Sequence, residues 1–352
     1  MTKDSALPDY AALQQWWVDQ FAARGQNAPP WQALSGDAGF RRYFRLASTP
    51  PQLAVYAPPA TENTRAFVAI AQYLRRFDLA APEILAVDYD AGFLLVEDLG
   101  AELYLPHLTP GSAQELYAQA MQTLLQLQQV PVDPQIFPAY ETAKLRSELE
   151  LLPQWFIEQL LDYRLSRDEY GLLHGCFAKL EQAAGQQPKR IVHRDFHSRN
   201  LILRRDAAGQ LLPPGLIDFQ DAVIGPITYD LVSLLRDCYI HWPRAQVERW
   251  VQGYEQSARA AGIIPNLRAG EFLRWFDWMG LQRHMKVLGI FARLSLRDGK
   301  QGYLNDLPLV LAYTLSVARR YSEFRPLVAW FEQHLLPRII AQPWYRRLDV
   351  DL

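Results

Sequence analysis

The spacing of apolar residues near the start of the chain changes from helical to strand-like and back. Residues 9–25 repeat apolar side chains at helical intervals, with Asp9 as the predicted N-cap and Gly25 as the predicted C-cap. From about residue 31 to 56 the pattern consists of short β-like runs, and residues 64–77 return to helical spacing. This part of the chain therefore predicts a helix, two strands and a second helix.

Residues 81–100 read as two further strands joined by a tight turn, which completes a β-β-α-β-β order. Beyond that point the spacing is mostly helical, with a β-rich interval at 190–220 and the strongest helical segment at 271–294. The pattern predicts an α+β chain with a small β-rich N-lobe, residues 1–99, and a larger helical C-lobe, residues 100–352. A cleft is expected where the two lobes meet.

Composition narrows the class of protein. The chain has 352 residues, 49% of them hydrophobic, and a formal net charge of −2, and its Lys and Arg residues form no long run. A nucleic-acid partner is therefore not expected. Cys176 and Cys238 match no CxxC spacing, which indicates a reducing compartment and no thiolate metal site. No apolar run approaches the roughly 18 residues of a membrane span, and the first residues lack the apolar core of a signal peptide. We expect a soluble, cytoplasmic protein.

The stretch RIVHRDFHSRNLIL, residues 190–203, concentrates the candidate chemistry. His193, Asp195 and Asn200 form an H-x-D-x-x-x-x-N pattern, and the apolar strand LIDF follows with Asp218. Pairing the two short strands as a hairpin would bring Asn200 and Asp218 together, and their oxygens suit a hard cation such as Mg²⁺. Asp195 precedes them on the same loop, placed to accept a proton from an attacking hydroxyl group.

These residue types match the needs of phosphoryl transfer. A metal ion neutralises the leaving nucleotide, a base orients the acceptor hydroxyl, and little covalent chemistry is left for the protein. The alternative is a polar turn in which Asp195 and Asn200 only cap backbone N–H groups. The surrounding strands and the Asp-Phe pair at 218–219 favour the catalytic interpretation.

The segments IVHRDFHSRNLIL and GLIDFQDAVIGPITYDLVSLLRD resemble the aminoglycoside phosphotransferase/choline kinase superfamily, which has a bilobal protein-kinase-like fold. Further segments, among them GDAGFRRYFRL, LVEDLG and MGLQRHMKVLGIFARL, look like the anomeric N-acetylmuramate/N-acetylglucosamine kinases of bacterial cell-wall recycling. The likeness runs across most of the chain. It implies an ATP- and Mg²⁺-dependent kinase that phosphorylates the C1 hydroxyl of an amino sugar.

The resemblance assigns roles by position within the motifs. Asp195 matches the catalytic base, and Asn200 and Asp218 match the Mg²⁺ ligands. His193 matches a structural histidine of the catalytic loop. Asp230 matches an acidic residue at a helix start that braces this loop, a role close to that of an ordinary helix cap.

Residues 94–100, LLVEDLG, match the hinge that binds adenine. The resemblance implies that backbone groups from Glu97 to Leu99 contact the base, while the side chain of Val96 packs into the core. Because these contacts are mainly made by the backbone, the side chain of Glu97 is also compatible with a solvated charge.

Two departures concern the nucleotide phosphates. The segment at 35–46 is not a G-x-G-x-x-G loop, although Gly36 and Asp37 stand where a phosphate-covering turn would be, and Arg41 or Arg42 offers charge. The strand at 53–59 carries Val55-Tyr56 where protein kinases carry a lysine. Three arginines are candidates to replace that lysine, since a guanidinium clamps phosphate oxygens. They are Arg42, Arg45 and Arg65.

Only ten residues separate Asp218 from Tyr229-Asp230, which leaves no room for a long activation segment and favours a small-molecule acceptor. Arg194 is accordingly expected to brace the loop. Candidate acceptor residues lie in the catalytic loop, after Asp218 and on the following helices: His197, Arg199, Gln220, Asp221, Arg236, Arg283 and His284. Trp275 and Trp278 share a helical face, and this spacing is more typical of core than of a sugar platform.

Two alternatives remain open from the sequence. The acceptor could instead be an aminoglycoside, a choline-like molecule or another hydroxyl compound. The missing strand lysine also allows a non-catalytic pseudokinase, whereas the intact set of Asp195, Asn200 and Asp218 favours an active enzyme.

Overall fold

The structure, a computed structural model, describes residues 10–34 and 40–348. These residues form two compact units. The first unit runs to Tyr104 and includes Asn200–Asp221, and the second contains Leu105–Arg199 and the residues from Ala222 onwards. The lobe boundary predicted after residue 99 stays a prediction. Within the described ranges, no helix combines the length and apolar character needed to cross a membrane.

A five-stranded antiparallel sheet frames the first unit, in the order β1-β2-β3-β5-β4. Its strands are β1 (Trp31–Ala33), β2 (Arg42–Leu46), β3 (Gln52–Tyr56), β4 (Ile84–Asp88) and β5 (Phe93–Glu97). Alternate side chains of a strand point to opposite faces, so β2 buries Phe44 and Leu46 on one face of the sheet.

Two helices belong to this unit, α1 (Tyr10–Ala22) and α2 (Thr64–Arg75). Helix α1 buries Leu13, Trp17 and Phe21, which are four residues apart and therefore share one helical face, against the sheet. Gly25 has a φ of +70° and lies in a Schellman-type end, with Gln26 N–H donating to Phe21 O at 3.0 Å, which confirms the predicted helix-ending glycine. Asp9, the predicted N-cap, lies outside the described residues.

The prediction of two strands before α2 was wrong, because three strands precede this helix. Strand β1 has only three residues, and all three side chains are exposed, so it lacks the apolar–polar alternation by which a strand is recognised. The two strands predicted at 81–100 are confirmed as β4 and β5.

The hairpin predicted between Asn200 and Asp218 is confirmed. Strands β7 (Leu201–Ile202) and β8 (Gly215–Leu216) pair antiparallel, with Leu201 opposite Leu216. Glycine suits β8, since a Cβ at residue 215 would lie 3.1 Å from the side chains of both Ile202 and Leu99 and these would have to shift by a few tenths of an ångström. The hairpin belongs to the first unit.

The second unit is mostly helical, which together with the sheet makes the fold α+β. Its α-helices are α3 (Ala113–Gln129), α4 (Thr142–Leu149), α5 (Arg167–Gln186), α6 (Tyr229–Leu235), α7 (Arg244–Ala260), α8 (Glu271–Asp298), α9 (Leu307–Arg320), α10 (Arg325–Trp330) and α11 (Leu336–Ile340). Strands β6 (Lys189–Val192) and β9 (Val223–Pro226) pair antiparallel. Leu152–Leu160 and Phe331–Leu335 are π-helical, and Leu105–His107, Gln301–Asp306 and Ser322–Phe324 are 3₁₀-helical.

Helix α8 is the central element of this unit and confirms the helix predicted at 271–294, extended to Asp298. It is buried along most of its length and packs against the π-helical segment Leu152–Leu160. Gly289 allows a close approach there, because a Cβ at this position would lie 2.3 Å from the carbonyl carbon of Leu151.

Candidate active site

The predicted catalytic loop, called the catalytic loop below, begins at His193 in the second unit, directly after β6, and Asp230 holds its first two residues. One carboxylate oxygen of Asp230 accepts the backbone N–H of His193 at 2.6 Å, and the other accepts that of Arg194 at 3.0 Å. Asp230 is fully buried in the first turn of α6. Burial raises its pKa to about 7, although the two backbone donors favour the carboxylate form.

A second buried carboxylate, which the sequence analysis missed, holds the other end of the same loop. Asp237 accepts the backbone N–H of Ser198 at 3.0 Å, and the Ser198 hydroxyl donates to the same carboxylate oxygen. Asp237 lies seven residues after Asp230, just beyond the end of α6, so the two carboxylates stand at opposite ends of this short helix. This spacing in YDLVSLLRD was the available signal.

Arg194 is braced by the body of the second unit. Its φ of +76° is a strained backbone conformation for arginine, and its Nη2 donates to Glu148 Oε1 at 2.7 Å. Glu148 is 5% exposed, also accepts a hydrogen bond from the Tyr140 hydroxyl and lies 3.1 Å from Lys286 Nζ. Arg194 therefore pairs with a buried carboxylate of α4, which agrees with the prediction that it braces the loop.

Asp195 is held in its ionised form. Burial by itself would raise the pKa of this carboxyl group, yet the pKa is lowered because basic side chains surround it. These are, in order of effect, His197, Lys286, Arg283 and His193. An ionised carboxylate can accept a hydrogen bond, and then a proton, from a hydroxyl group.

In the first unit, the hairpin brings Asn200 and Asp218 together, with Asn200 Nδ2 3.3 Å from Asp218 Oδ2. Asp218 is exposed and has a φ of +63°, which is unusual for a residue other than glycine and is often found at functional sites. The pair offers one carboxylate and one amide oxygen, which are ligands that suit Mg²⁺. Among the described residues, no group of three or more His, Cys, Asp or Glu could hold a metal ion. Mg²⁺ commonly needs only one or two protein carboxylates beside phosphates and water.

The residues predicted for the hinge lie at the end of β5 and just after it. Val96 is buried, as predicted, and Glu97 Oε2 accepts hydrogen bonds from Arg75 at 2.8 Å and from the backbone of Glu83 at 3.1 Å. Leu99 is half-buried. The backbone N–H groups of Glu97 and Asp98 donate to Glu83 O at 2.9 Å and to Pro51 O at 3.1 Å, and the nucleotide contacts predicted for this segment stay a prediction.

Of the candidates for the missing strand lysine, two are engaged elsewhere. Arg45 pairs with Asp98 through Nε at 2.5 Å and Nη2 at 3.0 Å, and Arg65 lies 4.3 Å over the ring of Tyr89. Arg42 is exposed, and its Nη1 donates to Arg41 O at 2.9 Å. Gly36 and Asp37, predicted to cover the phosphates, lie outside the described residues.

Two of the predicted acceptor residues are deeply buried and form structural contacts. Arg236 is 3% exposed and its Nη2 lies 2.5 Å from Asp277 Oδ1. His284 stacks on Tyr313, its Nε2 lies 3.1 Å from Arg236 O, and burial lowers its pKa to about 3. These contacts favour a supporting role for both side chains.

Two other acceptor candidates of the second unit, His197 and Arg199, contact Tyr239, which the sequence analysis missed, and Arg283 is buried. Arg199 stacks over the Tyr239 ring at 3.5 Å, and the ring of His197 meets it edge-on at 5.7 Å. Arg283 Nη1 lies 3.6 Å from Cys238 Sγ. Gln220 and Asp221 belong to the first unit, where Gln220 is half-buried and Asp221 is exposed. Trp275 and Trp278 are buried in the second unit, as the core alternative requires.

The family model described as "Phosphotransferase enzyme family" matches residues 30–273. This range covers more than half of the chain, and the chain belongs to this family. It is a phosphotransferase with an alcohol group as acceptor.

Among curated relatives, the chain is similar to the N-acetylmuramate/N-acetylglucosamine kinase of Pseudomonas putida, with 42% identity over 84% of this chain and 85% of that protein. It is also similar to the kinase of the same name from Neisseria meningitidis, with 39% identity over 84% of this chain and 87% of that protein. The narrower resemblance found in the sequence is thereby confirmed.

Solved structures share the fold at low sequence identity. The streptomycin–ATP complex of aminoglycoside phosphotransferase APH(2″)-IIa matches with a TM-score of 0.57 and 14% identity over 92% of this chain and 99% of that one. Choline kinase LicA from Streptococcus pneumoniae matches with a TM-score of 0.59 and 11% identity over 87% and 99%. The protein-kinase-like α+β fold implied by the resemblance is confirmed.

Proposed function

We propose that the protein is an ATP-dependent sugar kinase that phosphorylates the anomeric C1 hydroxyl of N-acetylmuramate and N-acetylglucosamine, in the recycling of peptidoglycan. The observation that carries this proposal is the identity of 39–42% to kinases of that name, across most of the chain. The ATP complex of a structural neighbour supports ATP as the phosphate donor. The expected cytoplasmic location and the absence of a nucleic-acid partner stay predictions.

Asp195 is the residue that we assign to the acceptor hydroxyl. Its lowered pKa keeps the carboxylate ionised at neutral pH, which is the form that orients the hydroxyl and receives its proton. Asp230 and Asp237 fix the backbone on either side of it, so the base needs no rearrangement before the reaction.

Asn200 and Asp218 are the residues that we assign to Mg²⁺. Mg²⁺ bound there would neutralise charge on the nucleotide's phosphate oxygens. The exposed carboxylate of Asp218 and its contact with the amide of Asn200 support this role, because together they offer a carboxylate and an amide oxygen.

The charge around Asp195 supports an anionic or neutral acceptor over a polycation. Basic side chains dominate the surroundings of this carboxylate, with His197, Lys286 and Arg283 having the largest effects after burial. A polycationic aminoglycoside would be repelled there, whereas the lactyl carboxylate of muramate would be attracted. The aminoglycoside alternative is therefore less well supported than the amino-sugar proposal.

The test is a phosphate-transfer assay with ATP and Mg²⁺ over N-acetylmuramate, N-acetylglucosamine, choline and several aminoglycosides. We expect transfer to both amino sugars and a product whose phosphate is labile to mild acid, as a C1 phosphate is. The methyl glycoside of N-acetylglucosamine is the matched control acceptor, because only its C1 oxygen is blocked.

Phosphorylation of the methyl glycoside at the same rate would refute transfer to C1. Transfer to choline or an aminoglycoside alone would refute the amino-sugar assignment. Nucleotide binding without transfer to any acceptor would favour the non-catalytic pseudokinase.

A further inference from the structure

A chain of polar contacts in the first unit begins at Arg41, the residue directly before β2. Arg41 is 7% exposed, its Nη2 lies 3.1 Å from Glu62 Oε2, and its Nη1 donates to Gln220 Oε1 at 2.8 Å. Glu62 lies just before α2, and Gln220 lies two residues after Asp218. A buried guanidinium therefore joins the start of a helix to the segment that carries the proposed metal ligand.

Gln220 extends this chain to Asp218. Its Oε1 accepts from Arg41, and its Nε2 donates to Asp218 Oδ1 at 2.8 Å. Because Arg41 can only donate hydrogen bonds, it fixes which end of the amide faces the carboxylate. Without Arg41 the amide loses the donor on its oxygen, so only the contact with Asp218 itself would hold it, and Gln220 would position the carboxylate less firmly.

Aromatic packing also supports the segment that carries Asp218. The Arg41 guanidinium lies 4.9 Å over the ring of Phe67, and Phe67 stacks on Phe219 with ring centres 5.0 Å apart. Phe219 is fully buried and follows Asp218, whose backbone has the unusual φ of +63°. Arg41 thus contributes to both the packing and the hydrogen bonding that define the Asp218 conformation.

The pairing of Arg41 with Glu62 offers a reason why the strand lysine can be absent. In protein kinases a strand lysine pairs with an acidic residue of the following helix. Here Val55 of β3 is 3% exposed and apolar, and the acidic residue before α2, Glu62, is paired with Arg41 instead. Arg42, one of the candidates named from the sequence, is exposed, whereas Arg41 is buried.

We propose that Arg41 is a positioning residue that takes the place of the strand lysine as the partner of Glu62 and, through Gln220, orients Asp218 for the metal of the bound nucleotide. The proposal rests on the metal role that the proposed function gives to Asp218. It gives Arg41, Glu62 and Gln220 one joint role, and that role is independent of which hydroxyl compound is the acceptor.

The test compares Arg41→Met, Arg41→Lys and Gln220→Leu with the full-length wild type. Mn²⁺ binding in the presence of ADP is followed by electron paramagnetic resonance, and the Mg²⁺ dependence of turnover is measured separately. We expect Arg41→Met and Gln220→Leu each to weaken metal binding by roughly 10- to 100-fold, as is usual when a group that orients a ligand is removed. Arg41→Lys keeps the charge but loses the fork of donors, so it should lie between these variants and the wild type.

Arg76→Met is the matched control, since Arg76 is an exposed arginine at the end of α2. It should bind Mn²⁺ as the wild type does. Combining Arg41→Met with Gln220→Leu should weaken binding little more than either change alone, because both act through one contact with Asp218.

Wild-type metal affinity in a folded Arg41→Met protein, checked by its thermal unfolding, would overturn the proposal. If that variant fails to fold, unchanged affinity in both Arg41→Lys and Gln220→Leu would overturn it equally. Unchanged Mn²⁺ binding in Asp218→Asn would remove the metal assignment itself. A wild type that phosphorylates a different acceptor would refute the amino-sugar proposal and leave the role of Arg41 standing.

Discussion

The catalytic loop of the second unit and the β7–β8 hairpin of the first unit differ in how their polar side chains are held. Buried carboxylates hold the loop: Asp230 is 0% and Asp237 1% exposed, and each accepts two hydrogen bonds from the loop. The hairpin has strands of only two residues, and its Asp218 is exposed.

The difference separates two tasks of a phosphotransferase. The position of Asp195 is set by the protein alone, which suits a base that must meet a hydroxyl in one geometry. Asp218 also accepts two hydrogen bonds, from Asn200 and Gln220, but its side chain is exposed, which suits a proposed ligand that completes the coordination of a metal ion together with phosphates. Substitutions in the loop should therefore alter stability as well as activity, and substitutions in the hairpin should alter metal-dependent activity alone.

The largest expected effect is on turnover, in Asp195→Asn. The amide cannot take up the proton of the hydroxyl, so we expect kcat to fall by about 10³-fold, within the usual range for removal of a general base. Nucleotide affinity, measured by calorimetry, should stay within about twofold of the wild type. Turnover near the wild-type rate would contradict the assignment of Asp195.

Sequence patterns predicted much of the loop and the hairpin because their elements are local. The H-x-D-x-x-x-x-N spacing, the short strands around it and the helix carrying Asp230 lie within about forty residues of one another. The helical spacing of apolar residues also predicted α8, whose apolar face is long. It missed β1, because an exposed three-residue strand has no alternation to detect.

The contacts that support these elements were missed because they join distant positions. Arg194 meets Glu148 across 46 residues, and Arg41 meets Gln220 across 179. The sequence alone does not show which distant residue a charged side chain pairs with. For the same reason Arg236 and His284 were named as acceptor residues, whereas the fold buries both in contacts of their own.

Glu148→Gln should give the largest loss of stability, because Glu148 compensates two buried cations, Arg194 and Lys286. Removing one partner of a buried ion pair leaves the other charge uncompensated, so we expect a loss of about 3 kcal/mol in the free energy of unfolding. Urea unfolding measures it. Glu332→Gln, at the exposed ion pair with Arg319, is the matched control and should cost less than about 0.5 kcal/mol. Equal losses would show that the Glu148 pair is no more than a surface contact.

We expect acid to lower the free energy of unfolding because His284 is buried in its neutral form. Burial lowers the pKa of His284 to about 3, so folding excludes a proton that the unfolded chain binds below its usual pKa near 6.5. The stability it contributes is complete above that value and is lost as the pH falls towards 3. By pH 5 the loss should be about 2 kcal/mol.

Urea unfolding at pH 7.5 and pH 5 checks this expectation. His284→Phe should reduce the difference between the two pH values, whereas His241→Phe, at an exposed histidine, controls for the loss of an imidazole. An unchanged acid dependence in His284→Phe would show that another group causes the loss.

The smallest expected effect is the stability change in Asp218→Asn, and it tests the comparison most directly. Asp218 is exposed, and asparagine tolerates a φ of +63° at least as well as aspartate, so we expect a change within about 0.5 kcal/mol. Asp230→Asn, the same substitution in the loop, leaves a buried N–H without its acceptor and should cost about 2 kcal/mol. Urea unfolding of both variants at neutral pH gives the two values. Comparable losses would mean that the hairpin is held as firmly as the loop.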